Sequence, residues 1–106
     1  SNTGYVVAGL IAEKVAGEPL MALLARRIFK PLGMGSVISQ DAAIGARFPQ
    51  GYGRHALGPV RVQPPAAAGW LYAAGELAMS AADLAKWNIA RLDRTLLPRA
   101  AWEAQE

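Results

Sequence analysis

The sequence predicts a mainly α chain with one short β-hairpin. Three observations carry that prediction. Apolar residues recur at spacings of three and four over residues 2–16 and 20–29, and again after Ser80. Residues that start and stop helices bracket these stretches. One short alternation of apolar and polar residues, Val60-Arg61-Val62, follows the turn pair Gly58-Pro59.

Residues 2–16 read as the first helix. Val6, Val7, Leu10, Ile11 and Val15 give a stripe wide enough to be buried over much of its circumference. Ser1 or Asn2 caps its start, because a short side-chain oxygen can accept a bond from a free first-turn N–H. Gly17 can take the left-handed conformation that closes it. A second helix starts at Glu18-Pro19, since a proline at the first helical position loses no hydrogen bond. Leu20, Leu23, Leu24 and Ile28 form its stripe and Phe29 adds bulk at its end. Lys30-Pro31 stops it, because the residue before a proline is pushed out of the helical region. Leu32-Gly33-Met34-Gly35 is then a turn.

Residues 36–49 have weak periodicity and read mostly as loop. Residues 50–54 and 60–63 read as two short strands joined by residues 55–59, and Pro64-Pro65 ends the second. Residues 66–75 are rich in Ala and Gly around Trp70, Leu71 and Tyr72, so backbone can pack closely there. Ser80 followed three on by Asp83 fits a capping box at a helix start. Leu84, Trp87 and Leu92 are the expected buried stripe of that helix. Leu96-Leu97-Pro98 opens a last short helix anchored by Trp102. There is no internal repeat and no low-complexity linker.

With 106 residues the chain is one domain at most. Apolar residues make up 53% and charged residues 18%, a skew that suggests a segment covered by something else. The net charge of +3 and a pI near 9.7 come from basic residues spread singly along the chain. Only Arg26, Arg27 and Lys30 cluster, at an expected helix end where cations complement the dipole, so no nucleic-acid partner is expected. Cysteine is absent, which excludes disulfides and thiolate metal sites. The single His55 among scattered carboxylates offers no ligand spacing for zinc, and neither metal nor cofactor is expected. No stretch reaches the roughly 18 apolar residues of a membrane span. The start lacks the basic leader of a signal peptide.

Three blocks, in order, resemble one family. Ser1-Asn2-Thr3-Gly4-Tyr5-Val6-Val7-Ala8-Gly9-Leu10-Ile11-Ala12-Glu13-Lys14-Val15-Ala16-Gly17 is similar to the stretch after the active-site tyrosine of the serine β-lactamases and penicillin-binding proteins. Arg27-Ile28-Phe29-Lys30-Pro31-Leu32-Gly33-Met34 resembles their helix-ending block. Ala73-Ala74-Gly75, with Ser80-Ala81-Ala82-Asp83-Leu84-Ala85-Lys86-Trp87, resembles a third. The hairpin over residues 50–64 sits where class C β-lactamases and their esterase relatives have a short β-ribbon. The resemblance covers nearly the whole chain and does not separate β-lactamase from D-alanyl-D-alanine peptidase or esterase.

The resemblance implies a helical-side fragment of the α/β β-lactamase/transpeptidase-like fold, with residues 1–106 a single partial domain. Ser1-Asn2 is then the back half of a Tyr-Ser-Asn triplet whose Tyr would stand one residue before Ser1. In such bacterial enzymes a serine in Ser-x-x-Lys attacks a carbonyl, an acyl-enzyme forms, and water or another acceptor releases it. Asn2 is the catalytic residue the resemblance assigns here, orienting the Lys and hydrogen-bonding a substrate amide. Implied substrates are β-lactams, D-alanyl peptides or esters, and the implied location is periplasmic or secreted. No serine in the sequence has a lysine three residues later, and there is no Lys-Thr-Gly, His-x-Gly or Gly-x-Ser-x-Gly. Glu76 and Met79-Ser80-Ala81 also depart from the third block. The isolated chain is therefore expected to be inactive.

Each candidate has a structural reading beside the functional one. Asn2 is a catalytic amide or a helix cap. Trp70 and Tyr72 line a cleft or pack in a core. Asp83 is catalytic or a cap. His55 is a binding residue or a solvated turn residue. Arg26 and Arg27 bind an anion or end a helix. For the whole chain, the alternative is a non-catalytic helical interaction module that pairs with itself or a partner through exposed apolar surface.

Overall fold

A computed structural model describes residues 1–45 and 47–104. Ala46, inside the expected 36–49 loop, lies outside the described residues. The elements run α1 (Asn2–Ala16), α2 (Leu20–Leu24), β1 (Ile38–Ser39), β2 (Tyr52–Gly53), β3 (Arg61–Val62), β4 (Leu77–Ala78), α3 (Ala81–Leu92) and α4 (Arg99–Glu103). β2 and β3 form the expected antiparallel hairpin, with Tyr52 opposite Val62.

Helix α1 has the expected bounds. The Ser1 hydroxyl accepts from the Gly4 N–H at 3.4 Å, and Gly17 closes the helix at φ 70 with its N–H on the Glu13 carbonyl. Pro19 stands just outside α2, at the cap position, one place earlier than expected. It has no capping side chain of its own. The carboxylate of Glu13 reaches across from α1 and accepts from the Leu20 N–H at 2.7 Å, which supplies the missing cap. After α2 the backbone widens into one π turn over Ala25–Phe29, with the Lys30 N–H on the Ala25 carbonyl. That turn brings Phe29 inward; it is 7% exposed. Gly33, at φ 62, then reverses the chain.

Two expectations about the interior are corrected. Leu10, Ile11 and Val15 of α1 are largely exposed, so the apolar stripe faces outward from these residues. The buried side of α1 centres instead on Gly9, against Ala73, Tyr72 and Leu20. On α3, Leu84 and Leu92 are exposed, while Asp83 and Ala90 are buried and Trp87 is half-buried. The inward face of α3 therefore follows positions 83, 87 and 90. The 36–49 segment is mostly loop, as expected, with two short elements in it: β1 pairs antiparallel with β4, Ile38 opposite Ala78, and a 3-10 turn follows at Gln40–Ala42.

The last helix holds as expected. Trp102 is buried, and its indole N–H donates to the Thr95 carbonyl at 3.1 Å. That bond gives the polar edge of a buried aromatic its partner and ties α4 back to the end of α3. Among the described residues no helix is long and apolar enough to cross a membrane.

Candidate functional site

The first turn of α1 settles which residue caps it. Ser1 does so, and Asn2 is the first residue inside the helix. Asn2 is exposed, and among the described residues its amide makes no hydrogen bond. The capping reading of Asn2 is therefore corrected. An amide at the first helical position, with donor and acceptor both unused, is available to a group outside these elements.

One turn further along α1, Tyr5 borders a cavity of about 430 Å³ between α1, α2 and residues 69–77. Glu13, Leu20, Leu24, Tyr72 and Glu76 also line it. Tyr72 sits in a 3-10 turn at φ 36, a left-handed conformation unusual for a non-glycine. Gly9 makes room for it: a Cβ there would lie 3.0 Å from the Tyr72 ring and 2.5 Å from the Ala73 Cβ. The Tyr72 hydroxyl is buried and meets no hydrogen-bond geometry, although it lies near the Glu13 carboxylate. Burial first, and that neighbouring carboxylate second, raise its pKa above the usual phenol value.

Glu76 closes the far side. Its Oε1 accepts the Ser39 hydroxyl, its backbone carbonyl accepts the Gln40 N–H, and its N–H donates to the Tyr72 carbonyl at 3.1 Å. Its Oε2 is buried without a partner. The Gly69 N–H donates to Asp41 at 2.7 Å, so the 69–77 segment is tied at both ends to residues 39–41.

Asp83 belongs to a different cluster. The Ser36 N–H and hydroxyl donate to its Oδ2 at 2.7 and 2.6 Å, and Lys86 donates to its Oδ1 at 2.7 Å. Lys86 also reaches the Gly33 carbonyl. The Ser80 N–H donates to the Ser36 hydroxyl at 2.9 Å, and the Ser80 hydroxyl accepts the Asp83 N–H at 3.2 Å. The expected capping box is thus half formed, because Asp83 turns to Ser36 and Lys86 rather than back to Ser80. Hydrogen bonds from Lys86 and then Ser36 hold the Asp83 carboxyl down at about 2. Each oxygen of Asp83 is engaged, which makes it a clasp between the 33–36 turn and α3.

The remaining candidates are spread out. His55 and Trp70 are exposed, and Arg26 is paired with Glu18. Among the described residues no group of three or more His, Asp or Glu side chains is placed to hold a metal. Sequence reasoning left Tyr72 between a cleft and core packing, with packing the favoured reading, and noted Glu76 as a departure. It missed Glu13, whose only local signal is a carboxylate seven residues before an uncapped helix start.

The family model described as Beta-lactamase matches residues 1–106. The chain is similar to the crystal structure of a D-stereospecific amidohydrolase from Streptomyces sp., at 30% identity and a TM-score of 0.84. That match covers 97% of this chain and 31% of the other. It is also similar to an octameric penicillin-binding protein homologue from Pyrococcus abyssi, at 31% identity and a TM-score of 0.71, covering 89% of this chain and 21% of the other. The chain therefore spans under a third of the length of either structure. No curated protein matches it.

Proposed function

The chain belongs to the Beta-lactamase family, a hydrolase lineage, and folds as part of the β-lactamase/transpeptidase-like architecture, and we propose that it forms one partial domain of a serine hydrolase that works through an acyl-enzyme. The substrate class is β-lactam, D-alanyl peptide or ester. The amidohydrolase likeness supports an amide-bond substrate, and the penicillin-binding homologue supports the same carbonyl chemistry.

Asn2 is the residue of this chain assigned to that chemistry. The supporting observation is the free amide at the start of α1, with Ser1 taking the capping work. The oxygen of a neutral amide can accept a hydrogen bond from a lysine ammonium while its NH2 donates to a substrate carbonyl, and it does not titrate near pH 7. By that arrangement Asn2 would keep the lysine of Ser-x-x-Lys oriented toward its serine. Neither of those residues occurs among these 106, so this chain by itself supplies no acylating hydroxyl.

Two assays test the reading. Purified alone, the 106-residue chain should turn over neither nitrocefin nor a p-nitrophenyl ester. Activity that follows the chain through every purification step would defeat the proposal. Combined with a Ser-x-x-Lys-bearing part of such a domain, it should support burst kinetics of an acyl-enzyme.

A second reading has its own support. Val7, Leu10, Ile11 and Val15 present apolar surface from one helix, which also suits a non-catalytic helical module that pairs with itself or a partner. The octameric state of the penicillin-binding homologue is consistent with self-association. A stable, well-folded monomer or defined oligomer with low binding of a hydrophobic dye would favour an independent module over a partial domain.

A further inference from the structure

We propose that the cavity between α1, α2 and residues 69–77 is a binding site for a protonated amine carried on a compact apolar body, with Glu76 as its anchor. The volume, about 430 Å³, lies in the range of small-molecule pockets. Leu20, Met21, Leu24 and Leu77 make its walls apolar. Its polar lining is one-sided: Glu13, Glu76 and two tyrosines, with no lysine, arginine or histidine.

The hydrogen-bond inventory gives the charge of the ligand. Glu13 already holds the Leu20 N–H, and one oxygen of Glu76 holds the Ser39 hydroxyl. The other oxygen of Glu76 and the Tyr72 hydroxyl are buried and unbonded. A buried carboxylate oxygen without a donor is costly, and an ammonium N–H is the donor that offsets that cost best. Two carboxylates and no basic side chain among its lining also favour a cation over an anion there. The apolar walls then take the carbon skeleton attached to that ammonium.

The amine site does not depend on acyl transfer. Its failure leaves the hydrolase reading standing, and a failed hydrolase assay leaves the site standing.

Binding of benzylamine to an intact domain carrying this segment tests it, followed by ¹H–¹⁵N NMR at pH 7, with benzyl alcohol and benzoate as the neutral and anionic counterparts. Benzylamine should shift the amides of Leu20, Tyr72 and Glu76. Benzyl alcohol should bind about tenfold more weakly or worse, as expected for loss of a charged hydrogen bond, and benzoate should not bind there. Glu76→Gln should weaken benzylamine about tenfold or more, whereas Glu103→Gln, on α4, should change nothing. Equal binding of amine and alcohol overturns the proposal. So does unchanged affinity in Glu76→Gln, or shifts confined to residues away from the cavity. Should Glu76→Gln fail to fold, the comparison of the three ligands on the unaltered domain decides.

Discussion

At the scale of single residues, Ser1 and Asn2 are adjacent and do different work. Ser1 caps α1 through its hydroxyl, so Ser1→Ala should lower stability by about 0.5–2 kcal/mol. Asn2 has no such bond, so Asn2→Ala should leave the melting curve nearly unchanged. In an active domain carrying this segment, the same change should lower kcat by about 10²–10³, the loss typical of one preorganised polar group at a reacting centre. Paired thermal melts and ester hydrolysis separate the two effects, and a large stability loss in Asn2→Ala would contradict the division of labour. Asp83 carries a pH prediction. Its folded-state carboxyl sits at about 2, below the ordinary 3.8, because Lys86 and Ser36 bond its charged form. A depressed carboxyl stabilises the fold when ionised. The contribution is therefore complete above about pH 4, the unfolded value, and is lost as pH falls toward 2. Urea melts between pH 2 and 5 should show this slope, and Asp83→Asn should be less stable at neutral pH with a flatter profile.

At the scale of elements, the Gly9 crossing decides how α1 meets the 69–77 segment. A Cβ at Gly9 would stand 2.5 Å from the Ala73 Cβ, 3.0 Å from the Tyr72 ring and 3.3 Å from Leu20. Gly9→Ala gains about 1 kcal/mol of helix propensity, yet overpacking of this kind costs about 1–3 kcal/mol. A net loss of stability is expected, together with a displaced Tyr72. Gly4 is the internal control: its nearest neighbour to a new Cβ is 3.9 Å away, so Gly4→Ala should stabilise by a few tenths to about 1 kcal/mol. Denaturant melts of the two variants should move in opposite directions. The same crossing shows what was legible beforehand. Features set by local chemistry could be read: the Ser80 cap, the left-handed Gly17, the turn around Gly33, the β2–β3 hairpin and the Trp102 anchor. The β1–β4 pair could not, because two residues at 38–39 join two at 77–78 with no local pattern. The α3 interior was misread because leucines were taken as the buried face, whereas the Asp83 clasp turns that helix the other way. Asn2 was legible only through a motif, and the amine cavity not at all, since its carboxylates come from positions 13 and 76.

At the scale of the whole molecule, the shape is the argument. The radius of gyration is 16.4 Å, against about 13 Å for a compact chain of this length. The accessible surface is 8024 Å², against about 5,700 Å² for a folded monomer of this mass. The excess of about 2,300 Å² is comparable to what obligate partners bury between them. It is also apolar where it can be traced: Leu10, Ile11 and Val15 on α1, and Leu84, Ile89 and Leu92 on α3, are all more than 45% exposed. Surface of that kind calls for a cover, and the proposed partial-domain reading supplies one, since the similar amidohydrolase chain is about three times as long. Alone at micromolar concentration, the 106-residue chain should therefore scatter light as an oligomer or aggregate and bind a hydrophobic dye. Replacing Leu10 and Ile11 together with lysine should reduce both signals while leaving the helical circular-dichroism signal in place, because those side chains face away from the Gly9 contact. If the unaltered chain is instead a clean monomer that binds no dye, the outward stripe of α1 needs no partner, and the partial-domain reading gives way to the independent module.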